Sequence, residues 1–214
     1  MSERRIHVVG TAQVAKSPDF VVLNLILNAC NPDYSSAMKI AAQQVEILRE
    51  TLVEAGFSPE NLKTVAFNVD SKYEREDFRD GNAKKSRETF VGFDCRHDLA
   101  LSFDFDAQKL DFALSAVKNC LSQPKISVVF TLKDPATLSD KLLKAAARDA
   151  QRKAKILCAA SGVKLGNLLE IRYQPTVFDA KNEILVGANE NSAFNFRPND
   201  LIASDSADFL WEIE

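Results

Sequence analysis

The sequence predicts an α+β fold: antiparallel sheet strands covered by helices, in the approximate order β-β-α-β-β-α-β-α-β-β. Three observations carry it. Segments of alternating apolar and polar residues come in pairs, and helix-periodic segments separate the pairs. The clearest alternation puts Val91, Phe93, Cys95, His97, Leu99, Leu101 and Phe103 on one face. An alanine-rich helix then opens at Asp134-Pro135 and stops on Gly162, with Leu142, Ala146, Ala150, Ala154 and Leu157 as a shallow apolar stripe that lets it lie close to what it covers.

The elements follow in order. Ile6, Val8, Gly10, Ala12 and Val14 alternate as a half-buried strand, and Ser17-Pro18-Asp19 breaks the chain before a second strand over Phe20–Cys30, so the two read as strands joined tightly. Asn31 or Asp33 caps a helix whose inner face is Ala41, Val45, Leu48, Leu52 and Ala55, and Gly56 ends it. Asn61–Tyr73 is the next strand. The densely charged stretch at about 74–88, containing Asp80-Gly81, reads as an exposed hairpin arm leading into the returning strand. A short helix after Asp106 buries Leu110, Ala113, Leu114 and Val117, and Ile126, Val128, Phe130 and Leu132 alternate in the strand before the long helix. Leu168–Tyr173 and Leu201–Ile213 are the last strands. Between them lies an Asn-rich loop at about 175–199, longer than a simple connection requires.

Composition narrows the function classes. A chain of 214 residues with 46% hydrophobic content buries a substantial core, and its net charge of −3 supplies no general positive field for nucleic acid. No apolar run approaches the roughly 20 residues of a membrane span. The N-terminus enters strand-like alternation at Ile6, leaving no room for a signal peptide, so a cytoplasmic location is expected. Cys30, Cys95, Cys120 and Cys158 fall in four different elements without a CxxC pair, and read as reduced core residues rather than a zinc or redox site.

Each candidate for chemistry has a plainer reading. His97 and Cys95 share a face, but same-face neighbours on one strand stand roughly 7 Å apart, too far for an activating hydrogen bond. A packed histidine bonded to a neighbour is expected instead. His7 has no companion ligand, so no metal site and no cofactor is expected. Asp149 precedes Lys153 by four residues, the spacing of a helix-surface ion pair, and Lys141, Lys144, Arg148, Arg152 and Lys155 read as a solvated face. Ser17 lacks an elbow and a base, and reads as a turn residue. No catalytic residue is assigned. Phe194 and Phe196 in the long loop, with Phe209 and Trp211 in the last strand, are the candidate interface.

Three segments in order resemble the SIMPL domain, formerly a domain of unknown function, found in bacterial periplasmic immunogenic proteins and in an animal adaptor of a pelle-like kinase. They are Gly10 with Ser17-Pro18-Asp19, then Val91-Gly92-Phe93, then Ala146, Asp149, Ala150, Lys153, Ala154, Leu157, Gly162 and Gly166. The resemblance covers essentially the whole chain, as one domain over 1–214. It departs from the family at Leu121-Ser122-Gln123-Pro124, where a small or glycine-containing turn is usual, and in the signal peptide of the periplasmic branch. The resemblance implies homo-oligomerisation, action through protein binding, a loose link to stress tolerance and no established enzyme activity. The expected function is therefore non-enzymatic self-assembly with an unnamed protein partner. An enzyme or small-ligand binder with a site between subunits, and a monomeric signalling adaptor, stand as alternatives.

Overall fold

The computed structural model describes residues 4–80, 83–175, 182–185 and 197–214, with side chains described outside 76–85 and 182–185. Its elements are β1 (Arg5–Lys16), β2 (Phe20–Asn31), α1 (Tyr34–Glu54), β3 (Leu62–Asp80), β4 (Ala83–Asp104), α2 (Ala107–Lys118), β5 (Lys125–Thr131), α3 (Pro135–Ala160), β6 (Leu165–Arg172), β7 (Asn182–Leu185) and β8 (Leu201–Ile213). The fold is α+β with antiparallel ladders, and the expected order is present with one addition: β7, inside the Asn-rich segment. These elements divide into two compact units. One comprises Met1–Asp19, Thr131–Asn182 and Pro198–Glu214; the other comprises Phe20–Phe130 and Glu183–Arg197.

The first unit is a three-stranded sheet in the order β1-β8-β6 with α3 on one face. Strands β1 and β2 do not pair, although the sequence joins them tightly. Pro18 withholds an N–H, and Asp19 turns the chain aside: its N–H donates to the Thr131 carbonyl at 3.2 Å and its carboxylate accepts from Lys133 N at 2.8 Å. β1 pairs instead with β8, nearly two hundred residues away.

The second unit is a five-stranded sheet in the order β3-β4-β2-β5-β7. Val21, Leu23, Leu25 and Leu27 of β2 and Leu99, Leu101 and Phe103 of β4 meet Leu48 and Leu52 of α1 and Leu110, Leu114 and Val117 of α2 in its core. The helices start where the sequence places caps. Asp33 accepts from Ser36 N, Asp106 from Lys109 N and Asp134 from Thr137 N, each satisfying an N–H that the first turn cannot. The charged stretch continues the strands: β3 and β4 stay paired out to Asp80 and Ala83, and residues 81–82 lie outside the described residues. In the turn before β5, Gln123 takes φ +46°, a left-handed conformation that favours glycine.

Two glycines are required by close approach. A Cβ on Gly92, whose φ is +144°, would lie 2.5 Å from the Asn31 carbonyl oxygen. A Cβ on Gly10 would lie 2.0 Å from the carbonyl oxygen of Ala146. The alanine stripe of α3 therefore seats the helix on β1 at backbone contact, with Ala150 and Ala154 packed among Val8, Ala207, Phe209 and Trp211.

Candidate interaction surface

The first unit's sheet has two outer edges, on β1 and on β6, and they differ. An edge strand presents N–H and C=O groups that a neighbouring chain can pair with unless something covers them. On β1, α3 reaches two of them. The Asp149 carboxylate accepts the Thr11 N–H at 3.1 Å, and Lys153 donates its ammonium to the Val9 carbonyl at 3.1 Å. Asp149 also pairs with Lys153 and Arg152, each at 2.6 Å. The Lys153 hydrogen bond, then the Thr11 N–H and Arg152, hold the Asp149 carboxyl far below the usual carboxylate range. The ion pair expected from the sequence is present, and it is part of a clamp on the strand edge.

No described strand pairs with the outer edge of β6. Along and just beyond it, Leu168, Leu169, Ile171 and Tyr173 remain 46%, 43%, 55% and 38% exposed. Two register shifts, between Leu165 and Leu168 and between Leu168 and Glu170, precede a regular stretch in which Glu170, Ile171 and Arg172 face Leu210, Phe209 and Asp208 of β8. Ile171 thus shares the helix-covered face with Phe209, while Glu170 and Arg172 lie on the other. Arg172 donates to Glu170, which lowers the glutamate's pKa and raises the guanidinium's. Tyr173 donates its hydroxyl to Asp205 at 3.0 Å, raising the phenol's pKa. These were not among the residues singled out from the sequence. The signal was there: Leu168, Leu169 and Ile171 break apolar-polar alternation, so β6 carries more apolar side chains than one covered face requires.

On the sheet face away from α3, His7, Glu170, Arg172, Asp208, Phe209 and Leu210 line a hollow of 230 Å³. That is below the roughly 300 Å³ at which ligand pockets begin. An adjoining hollow of 430 Å³ is lined by Arg172, Gln174, Pro175, Ser206 and Asp208. The polar groups answer one another: His7 Nε2 lies 3.2 Å from the Asp208 carboxylate, and Arg172 meets Glu170.

The residues expected to carry chemistry or contact are placed as follows. His97 bonds to Thr64 at 3.0 Å and packs edge-on to Phe67; burial lowers its pKa, and it makes no bond to Cys95. All four cysteines are free, and burial pushes the Cys95 thiol up. Cys30 departs from the expected core position: it is exposed, because Ala29 rather than Cys30 takes the inward place on β2. Lys141, Lys144, Arg148, Arg152 and Lys155 are exposed. Phe209 and Trp211 are corrected from interface to core. Each is 7% exposed, their rings stack at 5.4 Å, and α3 covers them. Phe194 and Phe196 lie outside the described residues. Among the described residues, no helix is long and apolar enough to cross a membrane, and no three His, Cys, Asp or Glu gather as metal ligands do.

No curated protein matches the chain. Six of the residues by which it resembles a family have a structural role in the fold: Gly10 admits α3, Asp19 turns the chain, Gly92 passes Asn31, Asp149 and Lys153 clamp β1, and Gly162 ends α3 at φ +70°. They form a structural signature, and with a family model matching residues 6–207 the chain belongs to the SIMPL family, a protein of unknown function (DUF541).

Proposed function

We propose that this protein acts by assembling with itself and binding a protein partner, without turning over a substrate. One observation carries the reading: one edge of the first unit's sheet is clamped by Asp149 and Lys153, while the other, β6, carries Leu168, Leu169, Ile171 and Tyr173 exposed. A sheet edge with apolar side chains along it is a template for another strand. The family's signature residues support the same reading, since each serves packing, turning or edge protection. A cytoplasmic setting belongs to the proposal and rests on four free thiols. Light scattering on the purified chain across micromolar concentrations tests it. A mass above that of one chain is expected, and a monomer throughout removes the reading.

A second reading, a small-ligand site, is favoured by the adjoining hollows around Arg172 and Asp208. It ranks lower because Arg172 is already paired with Glu170, and Asp208 already meets His7. An Arg172→Ala variant that loses binding of a small anion in calorimetry would promote it.

A further inference from the structure

We infer that the partner of the β6 edge is the β6 edge of a second copy of this chain, running antiparallel with Ile171 opposite Ile171. The inference rests on the self-assembly reading and deepens it. It comes from the order Glu170-Ile171-Arg172, in which opposite charges flank one apolar residue symmetrically on the regular part of β6.

A two-fold axis through Ile171 puts Glu170 of each copy opposite Arg172 of the other. The two Ile171 side chains then meet on the helix-covered side of one continuous sheet. The charges select this register over its neighbours. Sliding the strands by two residues one way sets Glu170 against Glu170, and by two the other way sets Arg172 against Arg172. Sliding by one residue turns the helix-covered faces to opposite sides of the sheet and sets charge against apolar side chains. A parallel, in-register pair sets like charges side by side along its length. Among the described residues nothing bonds to the outer edge of β6, whereas on β1 α3 takes up the Val9 carbonyl and the Thr11 N–H.

Charge exchange on the full chain tests the register. Arg172→Glu alone and Glu170→Arg alone should each weaken self-association by about tenfold or more, because each turns two attractive cross-strand pairs repulsive. The double variant Glu170→Arg with Arg172→Glu restores the complementarity and should regain most of the wild-type association. Circular dichroism on each variant establishes that the chain is folded. A second measurement uses cross-linking in a Cys30→Ser background. Residues directly opposite in an antiparallel pair have Cα atoms about 4.5–5.5 Å apart, within disulfide reach, so Ile171→Cys should oxidise to a covalent dimer faster than Leu168→Cys. Unchanged association in both single reversals, or equal cross-linking at the two positions, overturns the β6 pairing while leaving self-assembly standing. A wild-type chain that stays monomeric removes both.

Discussion

Gly10 of β1 and Ala146 of α3 meet backbone to backbone: a Cβ on the glycine would sit 2.0 Å from the alanine's carbonyl oxygen and 2.8 Å from the Ala150 Cβ. No side-chain rearrangement makes room beside a helix carbonyl, so Gly10→Ala must push α3 off the sheet. The expected loss is about 1–3 kcal/mol or more, read from a urea melt. Adding Ala150→Gly should not restore it, because the nearest obstacle is the Ala146 backbone. Gly166→Ala meets the Glu212 Cβ at 3.0 Å and the Glu212 carbonyl oxygen at 3.2 Å, longer approaches than those at Gly10, and should cost less. A Gly10→Ala chain as stable as wild type would mean that α3 does not seat where the structure puts it.

The Asp149 clamp makes an acid prediction. Its folded pKa is depressed below the ordinary 3.8, so its contribution is fully present above about pH 5 and fades as pH falls through 3.8 and below. Asp149→Asn keeps the shape but loses the charge. The variant should melt at a lower temperature than wild type at pH 7, and the difference should shrink as the pH is lowered toward 3. A difference that stays constant with pH would show that the charge of Asp149 does not act on stability.

Much of this fold is legible locally and little of it at long range. Cap residues, period-two strands and the alanine stripe of α3 mark their own elements, because each reports the environment of a single segment. The apolar shallowness of α3 even announces a close approach. What it approaches is not local. β1 finds β8 across the whole chain, so neither the contact of Gly10 with α3 nor the reach of Asp149 to Thr11 could be read from spacing. The same limit misplaced Phe209 and Trp211. As aromatics near the end of the chain they read as a contact surface, whereas their alternation with Ala207 along β8 places them under the helix. The sequence marks β6 as a strand, but the exposure of its apolar residues follows from α3 lying mainly over β1 and β8, a non-local fact.

The thiols should titrate unequally. Cys95, Cys120 and Cys158 are buried, and Cys30 is exposed on β2. One thiol should react rapidly with a disulfide reagent under native conditions, and Cys30→Ser should abolish that phase. The other three should react only on unfolding. A rapid phase that survives Cys30→Ser would place one of the three at the surface.

The central claim, that the chain acts through the bare edge of β6, is tested most directly by amide hydrogen exchange at low and high protein concentration. The account predicts that amides in Gly166–Tyr173 become more protected as concentration rises through the micromolar range, while Thr11, held by Asp149, exchanges at the same rate throughout. Exchange in Gly166–Tyr173 that is indifferent to concentration, whether fast because the edge stays open or slow because the same chain covers it, would contradict the account.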